Sequence, residues 1–282
     1  MTHEISFPGL GLDVTLNRVA FSILGKDIYW YGIIICFGFI LGATYINWRA
    51  KSYGFTSDNV FDTILIAVPV SILCARAYYV IFEWGMYADN PSEIFKTWHG
   101  GLAIYGGIIG AVLSIVIYGK WKHLSILGMA DCAAFGLLIG QCIGRWGNFV
   151  NAEAFGAQTD LPWRMVIDGA AGVHPTFFYE SLWNFIGFLL LHLHGKKRRF
   201  AGEIFLEYIA WYGFGRMLIE GLRTDSLYLF GTGLRVSQVL AALSCIIAIC
   251  FLVRGFRKHR TYAVATEIQM PETPTTTEEE QK

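Results

Sequence analysis

A chain of 282 residues with 22 basic and 22 acidic side chains, 54% apolar and only 16% charged, carries too little polarity for an ordinary soluble domain. No nucleic-acid partner is expected. Long stretches almost free of charge point instead to a polytopic membrane protein.

Residues 1–17 lack a basic stretch followed at once by an apolar core and a small-residue cleavage site, so no cleavable signal is expected. Residues 1–27 are expected to form an extracytoplasmic N-terminal segment. Crossing ~30 Å of hydrocarbon takes ~20 mainly apolar residues as a helix, and seven segments meet that need: 28–48, 59–82, 101–119, 125–144, 176–194, 203–222 and 236–254. None has the alternation over ~10 residues that marks membrane strands. A helix also satisfies its own backbone hydrogen bonds in lipid. The expected fold is all-α, a polytopic membrane helical bundle of about seven transmembrane helices in a domain over residues 28–260.

Lysine and arginine collect after the first, third, fifth and seventh segments: Arg49 and Lys51; Lys120 and Lys122; Lys196 to Arg199; Arg254, Arg257, Lys258 and Arg260. The positive-inside rule makes these loops cytoplasmic. The N-terminus and the loops 83–100, 145–175 and 223–235 then lie outside, and the C-terminus lies in the cytoplasm. Residues 261–282, with Pro271, Pro274, a threonine run and Glu278 to Glu280, are too polar to bury a core and are expected to form a disordered cytoplasmic tail.

Cys36, Cys74, Cys132, Cys142, Cys245 and Cys250 all fall in apolar segments, where packing explains them. His192 and His194 stand two apart beside a basic cluster and the other histidines are scattered, so neither a metal nor a cofactor is expected. Gly38 and Gly42, Gly106 and Gly110, and Gly136, Gly140 and Gly144 recur at the four-residue spacing that lets helix backbones approach in lipid. No internal repeat divides the segments into halves, which weakens an inverted-repeat transporter.

The polar residues converge on one depth. Arg145, Asn148, Asn151 and Glu153 follow the outward-running fourth segment; Tyr29, Trp30 and Tyr31 open the first; Tyr105 lies near the outer start of the third; Tyr179 and Glu180 lie one turn inside the fifth. At ~1.5 Å per residue, Arg216 lies ~20 Å and Glu220 ~26 Å along the sixth. Tyr212, Arg216, Glu220 and Arg223 share a face of that helix, and Arg216 and Glu220 can form an i,i+4 pair. Arg145 has Glu153 as its local partner. Arg76 and Asp131, on the second and fourth segments, are expected to neutralise one another. The excess of cations suits an anionic ligand, because a guanidinium grips phosphate oxygens in pairs and keeps its charge when partly desolvated. A phospholipid headgroup is the nearest abundant anion.

The run Gly144 to Gly156 (GRWGNFVNAEAFG) resembles the signature of the bacterial prolipoprotein diacylglyceryl transferase family. Trp30-Tyr31-Gly32, the run Trp98 to Gly107, His174-Pro175-Thr176 with Tyr179-Glu180, and Tyr212 to Arg216 leading through Glu220 to Arg223 agree with it in order, over residues 28–254. The resemblance implies transfer of the diacylglyceryl group of phosphatidylglycerol to the cysteine thiol of a prolipoprotein signal peptide containing a lipobox, with release of glycerol phosphate. It further implies a bacterial cell membrane enzyme with its site toward the external side. Arg145, Arg216 and Tyr105 are the expected catalytic residues, and Tyr31, Asn148, Asn151, Glu153, Gly156, Tyr212, Glu220 and Arg223 are expected to bind substrate.

Some relatives carry a histidine where this chain has Tyr105. A phenol, with a reference pKa near ~10, is a poor general base at neutral pH. Tyr105 is therefore expected to orient substrate, with thiolate formation left to cationic surroundings or to another group such as Glu220 or His174. A transporter that binds the same anion without chemistry is the rival class.

Overall fold

The computed structural model describes the backbone of residues 2–224, 226, 228 and 232–269, and the side chains of all of these except 99 and 260–269. Seven α-helices dominate: α1 (Trp30–Ala50), α2 (Ser57–Phe82), α3 (Ile104–Trp121), α4 (Ile126–Val150), α5 (Thr176–His194), α6 (Glu203–Glu220) and α7 (Val236–Gln269). By length and composition α1, α2, α3, α4 and α7 can each cross a membrane. The other two carry Glu180, Asn184, Glu203, Glu207, Arg216 and Glu220, which lower their apolar character. Many large apolar side chains on the bundle, among them Phe37, Leu65, Leu73, Ile117 and Ile246, face outward, as lipid contact requires. Helix α7 passes the expected domain end at 260 and runs to Gln269; the rest of the expected tail lies outside the described residues.

The all-α expectation needs correction at the N-terminus. Strands β1 (Thr2–Phe7), β2 (Leu12–Asn17), β3 (Val19–Ile23) and β4 (Lys26–Tyr29) precede α1, and β5 (Val166–Ile167) lies between α4 and α5. The first, second and fifth form an antiparallel sheet in the order β2-β1-β5, and β3 pairs with β4. Leu24 and Gly25 both have positive φ, at 50° and 75°, the pairing that a two-residue hairpin turn demands. The sheet is anchored through Ile5, which is 1% exposed and packs in a cluster with Met165, Val173 and Phe177, with Phe7, Leu16 and Ile167 against it.

Glycine faces join the helices. A Cβ on Gly42 would stand 3.0 Å from the Gly136 carbonyl oxygen, locking α1 against α4, and one on Gly110 would stand 2.6 Å from Ser71 Cα, locking α3 against α2. Between α5 and α6 the fit is reciprocal. Trp183 Nε1 donates to the Trp211 carbonyl at 3.0 Å and Trp211 Nε1 to the Trp183 carbonyl at 2.9 Å, with the rings stacked 4.3 Å apart. Each indole lies over a glycine of the other helix, Gly215 and Gly187.

The expected Arg76–Asp131 pair does not form. Arg76 bonds to backbone carbonyls of residues 93, 94, 100 and 101. Fully buried Asp131 accepts from Arg198 Nη1 at 2.8 Å, from the Gly202 amide at 2.8 Å and from the Phe205 amide at 2.9 Å. Carbonyls and amides, which the sequence does not advertise, satisfied these charges first.

Outside the helices, Asp168 closes the sheet. Its Oδ2 meets His3 Nδ1 at 2.7 Å and its Oδ1 accepts from the Glu4 amide at 2.8 Å. The His3 hydrogen bond first, and the Glu4 amide second, hold the Asp168 carboxyl below the usual carboxylate range. A depressed folded-state pKa stabilises above the unfolded value, ~3.9 for aspartate, and that stabilisation is lost as pH falls below it. Hydrogen-exchange protection factors for the β1 amides should therefore fall in wild type below about pH 4, and much less in Asp168→Asn, which starts lower. Equal acid dependence in both proteins would exclude this carboxylate as the cause.

Candidate active site

Helix α4 extends past the expected end at residue 144 to Val150, so Arg145 and Asn148 sit on its last two turns and Asn151 caps it. Trp146 and Phe149 explain the extension. They pack on Phe177 of α5, with ring centroids 5.4 Å and 4.5 Å away. The last turns of α4, the first turns of α5 and the last turns of α6 thereby meet at one end of the bundle.

Glu180 of α5 stands at that meeting, its side chain 4% exposed. Its Oε2 lies 2.5 Å from Arg145 Nη2, and its Oε1 lies 2.9 Å from Arg216 Nη1 and 3.5 Å from Arg223 Nη1. Arg216 Nη2 also pairs with Glu220 Oε2 at 2.5 Å, which realises the expected i,i+4 contact. The two 2.5 Å contacts are ion pairs without hydrogen-bond alignment at the carboxylate oxygens. Ser226 Oγ donates to Glu220 Oε1 at 2.7 Å, and the Arg235 guanidinium reaches the Glu220 carbonyl. Three guanidinium groups gather around Glu180, and the arginines are the more exposed partners.

A second layer joins this one through Arg145, whose Nη1 donates to Asn148 Oδ1 at 3.2 Å. Asn148 and Asn151 both donate to Glu153 Oε1, at 2.9 and 3.3 Å. Glu153 therefore holds the asparagines, and Arg145 finds its ion-pair partner in Glu180 instead. Arg18 reaches the Asn151 carbonyl and, with Asn151 and Tyr31, forms the polar side of a groove of about 900 Å³ whose other side includes Phe37 and Ile40. The Tyr31 ring lies over Gly147, where a Cβ would come within 2.8 Å.

Gly156 sits where two backbone stretches close over the network. Its amide donates to the His174 carbonyl at 2.9 Å, it bridges to Arg223, and a Cβ there would meet His174 Cβ at 2.7 Å. Tyr212 stacks on Tyr208, one turn further into the bundle than Arg216. Tyr105 stands on the first turn of α3, half-exposed, its ring 6.3 Å from that of Tyr78. Among the described residues no hydrogen bond or ion pair joins it to the arginines. His174 Nδ1 faces the Tyr179 hydroxyl at 3.3 Å, and that hydroxyl also accepts from Trp163 at 2.8 Å.

Glu180, Arg18, Arg235 and Ser226 join the network without being among the site residues expected from sequence. For Glu180 a signal existed: an ionisable residue in an otherwise apolar helix needs a partner. The histidines hid another grouping, in which His194 Nε2 lies 2.9 Å from Glu203 Oε1 and 3.3 Å from Glu207 Oε1. These three donor atoms fall within 4.8 Å of one another, at the far end of α5 and α6 from Glu180. The second oxygen of Glu203 accepts from the Arg199 and Phe200 amides, so this cluster also staples the turn between the two helices.

Residues 18–254 match the family model for prolipoprotein diacylglyceryl transferase. A phosphatidylglycerol–prolipoprotein diacylglyceryl transferase of Clostridioides difficile is 48% identical over 231 residues, covering 82% of this chain and 92% of its own. One from Finegoldia magna is 48% identical over 244 residues, 86% of this chain and 97% of its own, and one from Bacillus velezensis 42% identical over 260 residues, 88% and 94%. Matches of this length and identity enclose every arginine and carboxylate of the network, and the chain belongs to the prolipoprotein diacylglyceryl transferase family.

Proposed function

We propose that this chain transfers the diacylglyceryl group of phosphatidylglycerol to the lipobox cysteine thiol of prolipoprotein signal peptides. The glyceryl carbon–oxygen bond to phosphate breaks and a carbon–sulfur bond forms. The thiol proton passes to the surroundings, and glycerol phosphate departs with the bridging oxygen. The observation that carries this reading is the convergence of Arg145, Arg216 and Arg223 on Glu180, which holds three guanidinium groups together, each more exposed than the carboxylate they share, as a phosphodiester would require.

Arg145 and Arg216 bind and stabilise the departing phosphate, since their guanidinium groups are oriented before substrate arrives. Glu180 and Glu220 hold them, and Arg223 joins Glu180 from beyond the end of α6. Asn148, Asn151 and Glu153 position the headgroup, while Tyr31, Gly156 and Tyr212 shape the surrounding walls. The groove beside Tyr31, polar near Arg18 and Asn151 and apolar at Phe37 and Ile40, has the amphipathic character of a phospholipid. Tyr105 orients substrate. Thiolate formation draws on the cationic surroundings, which favour the charged sulfur.

In this reading all seven helices cross the bacterial cytoplasmic membrane, α5 and α6 tolerating their charges by pairing them inside the bundle. The N-terminus and the arginine network lie toward the external side and the basic loops toward the cytoplasm. Residues 1–27 form the extracytoplasmic segment and 28–260 the transferase domain, with the C-terminal end of α7 on the cytoplasmic side.

Incubating the purified protein with phosphatidylglycerol and a cysteine-containing lipobox peptide should raise the peptide mass by one diacylglyceryl group. Lipid binding with no adduct would sink the enzyme reading in favour of a transporter. Arg145→Ala should lower turnover by ~10²-fold or more in a protein that remains folded, the scale of losing one preorganised charge donor; retained turnover would remove Arg145 from the phosphate site. Glu180→Gln separates alignment from attraction. It raises the local positive charge, so phosphatidylglycerol affinity should hold or rise, yet turnover should drop about 10²-fold because the arginines lose their common anchor. A parallel loss of binding and turnover would contradict that role.

A further inference from the structure

We propose that Arg76 is a positioning residue for the transfer reaction, fixing the backbone that carries Tyr105; this rests on the transferase reading above. Arg76 lies on α2, 7% exposed. Its Nε donates to the Ile94 carbonyl at 2.8 Å and its Nη2 to the Glu93 carbonyl at 2.6 Å. Its Nη1 donates to the Gly100 and Gly101 carbonyls at 2.8 and 2.9 Å. Four of the five guanidinium N–H groups are thus spent on two separate stretches of the segment between α2 and α3. A lysine ammonium has only three donors on one atom and cannot span both stretches.

The clasp requires its glycines. Gly100 and Gly101 have φ of 89° and 74°, values that bring two successive carbonyls to one cation and that side-chain-bearing residues rarely adopt. A Cβ on Gly101 would collide with Arg76 Nη1 and stand 3.0 Å from the Tyr87 hydroxyl. The Tyr87 ring lies 5.1 Å from the guanidinium carbon, so the cation is enclosed on that side as well.

Immediately beyond the clasp the chain enters α3. The Ala103 amide donates to the Ala75 carbonyl at 3.1 Å, next to Arg76 in the chain, and a Cβ on Gly106 would stand 2.7 Å from Ala75 Cα. Tyr105 therefore stands between two fixed points, one on each side in sequence. Its ring touches that of Tyr78, and among the described residues its hydroxyl has no hydrogen-bond partner. The first turn of α3 and the Tyr78 ring aim that hydroxyl, and Arg76 sets the backbone leading into that turn.

The test combines Arg76→Lys, Gly101→Ala, Tyr105→Phe and the double variant Arg76→Lys/Tyr105→Phe in the full chain. Transfer of phosphatidylglycerol to a lipobox peptide is measured alongside thermal midpoint and the ¹⁹F spectrum of fluorotyrosine at position 105. Arg76→Lys should lower kcat at least tenfold with little change in the KM for phosphatidylglycerol and should move the Tyr105 resonance. The double variant should be no worse than the poorer single one, because both changes remove the same interaction. A wild-type rate in folded Arg76→Lys or in Tyr105→Phe, an unmoved resonance, or losses that multiply in the double variant would overturn the proposal. Should Arg76→Lys not fold, Gly101→Ala attacks the same clasp from the loop side and is judged by the same readouts. If the wild type makes no lipidated peptide, the transferase reading fails, and the resonance shift still decides whether Arg76 governs Tyr105.

Discussion

Glu180 carries a carboxylate at a place where water is scarce, and the rest of this architecture follows from how that charge is met. An ion moved out of water is tolerated only with close, well-placed partners, and here they come from three directions: Arg145 on α4, Arg216 on α6 and Arg223 beyond it. No one helix could supply them. The reciprocal indole contacts of Trp183 and Trp211 bring α5 and α6 close enough, and the aromatic stack on Phe177 brings α4. At the opposite end Asp131 performs a similar task, tying α4 to the start of α6 through Arg198 and two amides. Two ionic knots thus pin the same helices at both ends, and the distance between them is set by apolar packing.

The knots differ in a way that matters for function. Asp131 is fully buried and receives neutral amides as well as one arginine, so nothing is left over for a ligand. Glu180 receives arginines whose side chains stay 10% to 21% exposed while its own is at 4%. The anion is inside and the cations are at the mouth. The guanidinium groups are thus held in place by a carboxylate more buried than they are.

The helices were legible because apolar runs of membrane length leave few alternatives. Arg145, Arg216, Glu220 and Arg223 were legible because charges stand out against such a background and the four-residue spacing from Arg216 to Glu220 fixes a shared face. Three things were not. Glu180 was visible as a residue but not as a hub, because its partners come from other helices and only packing makes them meet. Arg76 and Asp131 looked complementary because sequence displays side-chain charges and hides backbone donors and acceptors, which claimed both. The N-terminal strands are short, and apart from Ile5 at 1% exposed and a few half-buried neighbours their residues face solvent, so the apolar alternation that announces a sheet is weak.

Polarity and position are therefore coupled across the bundle. The five helices apolar enough to cross a membrane by composition alone turn large apolar faces outward, whereas α5 and α6 spend their polar residues on each other, on α4 and on the site. Those charges are compensated within the bundle, which lowers the cost of holding α5 and α6 among apolar helices. Breaking the Glu180 contacts would then cost more than a site. It would leave Arg145 and Arg216 without the carboxylate they share, so the packing of α4, α5 and α6 depends on one side chain.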